Sequence, residues 1–302
     1  MIDVSLVIPV FNEEETLVIL KNKIIDVFEK ENLDGEIIFI NDGSTDSSGD
    51  ILEKLESENS EVKYIPFRFN KGKADALQMG FNSAIGKIVI TMDADLQDDP
   101  DEIPKLINKI NDGWDVVSGW KRNRKDPIGK RWPSKLFNFT TSLLSGIKIH
   151  DFNCGLKAYR NEVVKSVKVY GELHRYIPVL ASMEGFKTTE LVVKHHPREH
   201  GVSKYGFGRI FKGLFDLITA LFLARFTVRP MHFFGMFGLL AFLSGVGVEI
   251  WMLILKFAFN ESFASHIALL LLGVLLVVLG VQLVSIGLIG EMLVYQSKKR
   301  NE

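Results

Sequence analysis

The chain has 302 residues, a formal net charge of −1 and a single cysteine, Cys154. A chain of this length buries a sizeable core and has room for two structural units. The single cysteine excludes an intrachain disulfide. The balanced charge favours no particular class of partner, and we expect no nucleic acid among its partners.

Short apolar runs alternate with amphipathic stretches over residues 1 to about 120. Between the first two runs, Leu17, Leu20, Ile24 and Phe28 recur at helical spacing. This alternation predicts an α/β fold, with a mostly parallel sheet covered by helices on both faces. The runs span residues 5–8, 36–40, 62–65, 88–90 and 115–118.

Two carboxylates, Asp93 and Asp95, follow the fourth apolar run. Side chains at positions i and i+2 of a strand point the same way. Two hard oxygen ligands at the carboxyl end of a parallel strand suit Mg2+ or Mn2+ carrying a phosphate. Ligands of this architecture bind at that edge of the sheet. We therefore expect a site for an activated, phosphorylated substrate.

Polar motifs also follow the first two strands, at Asn12-Glu13-Glu14 and Asn41-Asp42-Gly43-Ser44. Such side chains can hydrogen-bond a base and a ribose. Each motif alone is equally consistent with helix capping, because Asn is a good N-cap and acids favour a first helical turn. Polar motifs after three strands of one sheet favour the nucleotide interpretation.

Charge is distributed unevenly after the fourth run. Residues 93–102 contain six acids, whereas residues 121–135 contain seven basic residues and one acid. This contrast predicts a metal site beside an anion site. Arginine binds phosphate bidentately, and Ser and Lys add donors. Alternatively, these basic residues form a solvated surface that contacts anionic lipid headgroups. Such a surface is compatible with specific phosphate binding. The candidate phosphate ligands are Arg122, Arg131, Ser134, Arg198, Ser203 and Lys204.

Two long apolar segments, at about 231–257 and 267–289, follow the α/β region. Each is long enough to cross a hydrocarbon core of roughly 30 Å. They are adjacent and nearly free of charge, which favours transmembrane helices over buried helices of a soluble protein. Residues 206–228 have an amphipathic pattern typical of an interfacial helix.

Basic residues flank both spans, whereas the connector at 258–266 has neither Lys nor Arg. The positive-inside rule then places both termini in the cytoplasm and the tip of the hairpin outside, in the inner membrane of the cell. Glu249, inside the first span, is interpreted as reaching the outer surface or meeting another subunit. The predicted regions are 1–205, 206–229, 230–292 and a basic tail at 293–302.

The motifs at 8–14, 41–46 and 93–97 resemble those of family 2 inverting glycosyltransferases with the GT-A fold. Three later elements are similar to those of polyprenyl-phosphate glycosyltransferases, a group that includes dolichyl-phosphate mannose synthase and bacterial undecaprenyl-phosphate glucosyltransferases. These elements are residues 151–157, His196-Pro197-Arg198 with 201–204, and Gly290-Glu291. The resemblance covers essentially the whole chain. It implies a GT-A catalytic domain, with a Rossmann-like sheet, followed by interface helices and a transmembrane hairpin.

The resemblance also implies roles for individual residues. The donor nucleotide would contact Pro9, Phe11, Glu13, Asp42 and Asp93. Mg2+ or Mn2+ would bind Asp93, Asp95 and Gln97. Asp95 and Asp151 would be catalytic, with Asp151 acting either as a base or as an orienting group. The acceptor would be undecaprenyl or dolichyl phosphate.

The donor is expected to be a nucleotide diphosphate sugar, and the resemblance favours a UDP-sugar such as UDP-glucose. Glucose, N-acetylglucosamine and mannose all remain open. Two alternative functions are a processive polysaccharide synthase of the same fold and a non-catalytic membrane scaffold. Oligomerisation through the transmembrane helices is a further possibility. The three histidines His195, His196 and His200 do not form a zinc motif and are interpreted as a phosphate-proximal strand end.

Overall fold

The computed structural model describes residues 2–122, 138, 141–142, 145–171, 173–197 and 230–301. The chain divides into two compact units, Met1–Ala220 and Leu221–Glu302. The amphipathic segment predicted at 206–228 lies outside the described residues.

The first unit is built on a seven-stranded sheet in the order β3-β2-β1-β4-β6-β5-β7. The strands are β1 Val4–Val10, β2 Gly35–Asn41, β3 Val62–Pro66, β4 Ile88–Thr91, β5 Val116–Trp120, β6 Lys157–Arg160 and β7 Thr188–Val192. The helices are α1 Leu17–Glu31, α2 Ser48–Glu58, α3 Lys73–Ser83, α4 Ile103–Asn111, α5 Asn161–Ser166 and α6 Ile177–Met183. Two 3-10 turns lie at Pro100–Glu102 and Leu173–Tyr176.

The predicted alternation of strands and helices is confirmed over residues 1 to 120. All neighbouring strands pair in parallel except β6, which runs antiparallel to both β4 and β5. Strands β6 and β7 come from a region without a regular apolar pattern. Strand β6 begins with Lys157 and ends with Arg160, and β7 is only partly buried, so neither forms an apolar run.

The core lies in two layers, one on each face of the sheet. Leu6 and Ile37 pack with α1 and α4 on one face, whereas Val7 and Ile38 pack with α3 and α5 on the other. Alternate residues of each strand therefore point to opposite layers. Because β6 is antiparallel, its start at Lys157 lies at the edge where β4 and β5 end.

The second unit contains two long helices, α7 Pro230–Ala258 and α8 Ile267–Asn301, joined through a 3-10 turn at Phe263–His266. Both helices are long and apolar enough to cross a membrane. The first matches its predicted bounds closely. The second continues to Asn301, well past the predicted end near residue 289, because the polar tail contains no Pro and consists largely of good helix formers.

The two helices of the hairpin approach closely at glycine. A methyl group at Gly245 of α7 would lie 2.7 Å from the carbonyl oxygen of Gly273 in α8. A methyl group at Gly273 would in turn overlap the carboxyl group of Glu249, so that group packs against α8 within the hairpin. Small residues of this kind let apolar helices pack backbone to backbone.

The motif Gly290-Glu291 has a structural role in the same hairpin. A carboxylate oxygen of Glu291 accepts a hydrogen bond of 3.4 Å from the backbone N–H of Met231 at the start of α7. A methyl group at Gly290 would lie 2.9 Å from the ring of Pro230. Gly290 therefore allows the close approach, and Glu291 caps an unsatisfied amide of the first helical turn.

Substitution of Gly245 by Ala should destabilise the hairpin, because the added methyl group forces the helices apart. Overpacking of this kind costs about 1–3 kcal/mol. A methyl group at Gly247 would have no described atom within 4 Å, so Gly247→Ala should be neutral or stabilising through its higher helix propensity. Thermal unfolding of the two purified variants in detergent measures the difference. Equal melting temperatures would contradict the close packing.

Candidate active site

The two predicted metal carboxylates lie just beyond the end of β4. The strand ends at Thr91 and a turn follows, in which Leu96 has a positive φ of 59°. Asp95 is buried, and one of its oxygens accepts a hydrogen bond of 3.2 Å from the backbone N–H of Gln97. The turn, and not the pleat of a continuing strand, therefore sets the directions of Asp93 and Asp95.

Asp93 lies in a strongly positive environment. Its carboxylate forms an ion pair with the ammonium group of Lys73, the first residue of α3. Burial alone would raise the pKa of Asp93, but the charges of Lys73, Lys121 and Lys157 lower it well below its usual value of 3.8. Asp93 is therefore ionised throughout the physiological pH range.

A second ion pair, between Lys121 and Asp98, adjoins the backbone of Asp93. Asp98 is buried and the Lys121 side chain is largely so, with 2.8 Å between the Lys121 Nζ and an Asp98 carboxylate oxygen. The other oxygen of Asp98 accepts from the backbone N–H of Asp93 at 3.4 Å. Burial would lower the pKa of Lys121, but the charge of Asp98 raises it. Lys121 begins the basic stretch at 121–135, yet its charge is used inside the protein and not on an exposed phosphate-binding surface.

The loop that carries Asp151 is packed against the same carboxylate. A methyl group at Gly155 would lie 2.6 Å from the Asp93 Cγ, so the backbone of this loop touches the Asp93 side chain. The hydroxyl of Thr91 donates to the carbonyl of Gly155 at 2.8 Å. Asp151 itself is buried and accepts from the backbone N–H of Asn153 at 3.1 Å. The structure thus brings Asp93 and the Asp151 loop together.

The loops after β1 and β2 are joined by reciprocal hydrogen bonds. Asn12, with a positive φ of 55°, donates its N–H to the Ser44 hydroxyl at 3.0 Å and accepts from the Thr45 N–H at 2.8 Å. Glu13 donates its N–H to the Ser48 hydroxyl at 3.0 Å. These contacts fix the loop that carries Phe11 and Glu13 at the carboxyl edge of the sheet. Pro9 lies within β1, immediately before this loop.

Asp42 is buried, and both of its carboxylate oxygens are hydrogen-bonded to backbone. They accept from the N–H groups of Lys71 at 2.7 Å and Gly72 at 2.9 Å. Burial raises the pKa of Asp42 despite these two bonds. In this structure Asp42 therefore orders the turn before α3, from which Lys73 reaches Asp93. Its predicted contact with a nucleoside stays a prediction.

The loop after the acidic pair is tied to the segment around His195. Asp98 and His195 form an isolated antiparallel bridge. The carbonyl of Gln97 accepts from the backbone N–H of His196 at 2.9 Å, and the His196 ring lies 3.1 Å from an Asp99 oxygen. The two histidines thus hold the loop that contains Gln97, the predicted metal ligand.

Only one of the predicted acceptor ligands belongs to the described residues. Arg122 is exposed, and its guanidinium lies 5.6 Å from the centroid of the Trp120 ring. That ring stacks on His150, with 4.2 Å between centroids, next to Asp151. The other predicted acceptor ligands lie outside the described residues; they are Arg131, Ser134, Arg198, Ser203 and Lys204.

The sequence patterns gave no role to three basic residues that lie near Asp93. Lys73 pairs with it directly. The charge of Asp93 also acts on Lys157 and on the partly buried His174, raising the pKa of each. Burial lowers the pKa of His174, so its imidazole is neutral, and among the described residues its buried Nδ1 has no hydrogen-bond partner. Two features of the sequence could have indicated these lysines. Lys73 ends a Gly-containing turn at 70–73, and Lys157 ends the 151–157 motif.

The donor set fits a metal that is completed by substrate. Within the described ranges, no three His, Cys, Asp or Glu side chains converge as a metal site. Mg2+ is commonly held by one or two carboxylates together with substrate phosphates, and not by an all-protein cage. Asp95 and Asp93 supply such a pair, although Asp93 is engaged by Lys73. The residues therefore suit a metal that arrives with a diphosphate.

Comparison with known proteins defines the class. Residues 5–168 match the family described as glycosyl transferase family 2. The chain belongs to this family and is a glycosyltransferase. It is 35% identical over 301 residues to the dodecaprenyl-phosphate galacturonate synthase of Rhizobium johnstonii, covering 97% of this chain and 88% of that protein.

A second group of relatives also has a polyprenyl phosphate in its name. The chain is 37% identical over 292 residues to the undecaprenyl-phosphate 4-deoxy-4-formamido-L-arabinose transferase of Pseudomonas syringae pv. syringae, covering 96% and 85% of the two chains. These relatives confirm the resemblance to polyprenyl-phosphate glycosyltransferases. They match nearly the whole chain, including the apolar hairpin.

Solved structures confirm the predicted fold class. The glucosyl-3-phosphoglycerate synthase of Mycobacterium tuberculosis, in complex with Mn2+ and UDP-glucose, matches with a TM-score of 0.54 and 19% identity. The match covers 74% of this chain and 78% of that one. A crystal structure described as a mycobacterial protein gives a TM-score of 0.55 at 20% identity, covering 74% of each chain. The catalytic unit thus has the GT-A fold.

Substitution of Gly155 by Ala should reduce sugar transfer strongly while leaving the protein folded. The added methyl group would overlap the Asp93 carboxylate, and a displacement of about 1 Å at a reacting centre costs on the order of 100-fold in rate. Gly49→Ala is the control, because its methyl group meets only ordinary contacts of 3.4 Å and 3.5 Å. Initial rates and far-UV circular dichroism are measured for both. An active Gly155→Ala enzyme would contradict the assigned geometry.

Proposed function

We propose that this glycosyltransferase moves a single sugar from a nucleotide diphosphate sugar to a polyprenyl phosphate, with inversion at the anomeric carbon. The observation that carries the proposal is the contact of the 151–155 loop with Asp93, at the edge of a GT-A sheet where the buried Asp95 also follows β4. The names of the two relatives support the lipid acceptor, because both are polyprenyl-phosphate enzymes.

The donor end of the site is assigned to the loops after β1, β2 and β4. Pro9, Phe11, Glu13 and Asp42 would face the nucleoside, with Asp93 beside the ribose or the phosphates. Mg2+ or Mn2+ would be held by Asp93, Asp95 and Gln97, and it would neutralise the charge of the leaving diphosphate. A solved GT-A neighbour in complex with Mn2+ and UDP-glucose supports the metal and a uridine nucleotide.

The acceptor end is assigned to basic residues. Arg122 is exposed beside Trp120, at the same edge as Asp151. Together with Arg131, Ser134, Arg198, Ser203 and Lys204, it would bind the lipid phosphate. An oxygen of that phosphate attacks the anomeric carbon, and the bond to the nucleotide diphosphate breaks. The second pKa of a phosphate monoester is near 6, so Asp151 is better suited to orient a partner than to remove a proton.

The hairpin of α7 and α8 supports a membrane location. We assign both helices to the bilayer, with the catalytic unit and both termini in the cytoplasm, because Lys and Arg flank the spans and are absent from the connector. The acceptor lipid is then within reach of a membrane-anchored enzyme. The helices also offer a surface for a second copy of the chain.

A donor screen tests the function directly. Membranes that contain the full chain are incubated with undecaprenyl phosphate, Mn2+ or Mg2+, and labelled nucleotide sugars. The panel includes UDP-glucose, UDP-N-acetylglucosamine, GDP-mannose, and donors of galacturonate and 4-formamido-arabinose, the sugars in the relatives' names. The expected product is a lipid that carries one sugar and forms only with metal. A ladder of products would favour a processive synthase, and the absence of product and of donor binding would favour a scaffold.

Asp95→Ala should abolish transfer in that assay while the protein remains folded. Asp95 is a buried carboxylate two residues before Gln97, and it already accepts a hydrogen bond from the backbone N–H of Gln97. Removal of a group that stabilises the leaving charge costs about 100-fold or more in rate. Asp101→Ala is the matched control, since Asp101 is an exposed carboxylate of the same acidic stretch. Equal rates for the two variants would eliminate the metal assignment.

A further inference from the structure

Lys157 is a buried lysine that is held by backbone carbonyl groups. Its side chain is 4% exposed. Among the described residues, no Asp or Glu oxygen forms an ion pair with its ammonium group. Instead, the Nζ donates hydrogen bonds to the backbone carbonyls of Phe152, at 3.2 Å, and Cys154. A buried charge satisfied by carbonyl groups is costly, so its retention needs a reason.

The position of Lys157 in the sheet explains what these bonds do. Lys157 is the first residue of β6 and pairs with Thr91 of β4. Paired residues of antiparallel strands point to the same face. Thr91 also donates to the carbonyl of Gly155, and Asp93 follows two residues later, so Lys157 lies at the edge of the sheet where the Asp151 loop meets Asp93.

The contacts of the loop form a continuous path to Asp93. Lys157 holds the carbonyls of Phe152 and Cys154, which lie on either side of Asn153. The next residue, Gly155, touches the Asp93 carboxylate and accepts a hydrogen bond from Thr91. At the other end of the loop, Asn153 donates its N–H to Asp151. The ammonium group thus sets the shape of the loop between Asp151 and Asp93.

We propose that Lys157 is a positioning residue for the transfer reaction, whose ammonium group holds the 151–155 loop so that Asp151 and Asp93 keep their relative placement. The proposal rests on the proposed function, because it concerns the rate of that reaction. The positive charge of Lys157 also acts on Asp93, the carboxylate that we assign to the donor phosphates, so it favours an anionic donor.

The charge on Lys157 is sensitive to pH. Burial lowers the pKa of Lys157 to about 8, although Cys154, Asp151 and Asp93 raise it; Lys73 lowers it further. The charge of Lys157 in turn lowers the pKa of the neighbouring, neutral His174. A lysine with a depressed pKa is protonated below about pH 8 and loses its charge above it. The positioning charge is therefore present at neutral pH and lost on the alkaline side.

Lys165, an exposed residue, provides a control for the loss of hydrogen bonds to backbone carbonyls. Its ammonium group also donates to backbone carbonyls, those of Phe81 at 2.6 Å, Asn82 at 2.9 Å and Ala84 at 3.0 Å. These carbonyls precede β4 and lie at the opposite edge of the sheet from Asp93. Lys165→Met removes the same kind of contact, but away from the site.

The experiment compares Lys157→Met, Lys157→Arg and Lys165→Met in the full-length enzyme, using the donor that is active in the wild-type screen. We expect Lys157→Met to lower kcat by about 100-fold, because a misplaced reacting group costs roughly that much in rate. Lys165→Met should change kcat by less than about twofold, because the contacts of Lys165 lie away from the reacting centre. Lys157→Arg keeps the charge and two or more donors, so it should recover part of the rate.

The pH dependence of kcat/KM distinguishes a positioning role of Lys157 from a role in protein stability alone. In the wild type, kcat/KM should fall as the pH rises through about 8. Lys157→Met should lack this alkaline limb, and Lys157→Arg should show none in the accessible range, because a guanidinium stays protonated. If Lys157→Met does not fold, the profile of Lys157→Arg carries the test.

Two results would overturn the proposal. One is a kcat of Lys157→Met within about twofold of that of Lys165→Met, since a misplaced reacting group costs far more. The other is an alkaline limb near pH 8 that persists unchanged in a Lys157 variant. A wild-type enzyme and a Lys165→Met enzyme that both make no lipid-linked sugar with any donor would instead refute the proposed function, so the two failures are distinguishable.

Discussion

The placement of the Asp93 carboxylate is the constraint on which the site depends. Lys73 pairs with this group, Gly155 touches it, and the charges of Lys121 and Lys157 act on it. A carboxylate surrounded in this way stays ionised and fixed in direction. The positive charges of these lysines offset the negative charge of the carboxylate, as the proposed binding of a diphosphate at this edge requires.

The cluster also connects the donor loops to one another. Asp42, after β2, orders the backbone of Lys71 and Gly72, and α3 begins with the lysine that reaches Asp93. The loops after β1 and β2 are joined separately by Asn12 and Ser44. Hydrogen bonds thus join the loops after β1 and β2, and the turn that Asp42 orders leads directly to the lysine that pairs with Asp93.

Much of this arrangement could be predicted from the sequence, and the exceptions have physical reasons. Apolar runs predicted β1 to β5 and both long helices, and three polar motifs located the edge of the sheet. Strand β6 was missed because it begins with the buried Lys157 and so lacks an apolar pattern. The role of Lys73 was missed because its partner Asp93 is 20 residues away in sequence. Nothing in the local sequence distinguishes such a lysine from an unpaired lysine on the surface. Lys121 belongs to the basic stretch by sequence, but its partner Asp98 turns it inward.

The central claim is that the edge formed by Asp93, Asp95 and the Asp151 loop receives the donor diphosphate. The most direct measurement is a structure of the full-length protein in a lipid nanodisc with UDP and Mn2+. We predict Mn2+ and the diphosphate at the 93–97 turn, with the uridine against the loop of Phe11 and Glu13. A nucleotide bound away from that turn, or bound there with Asp95 remote from both metal and phosphate, would contradict the claim.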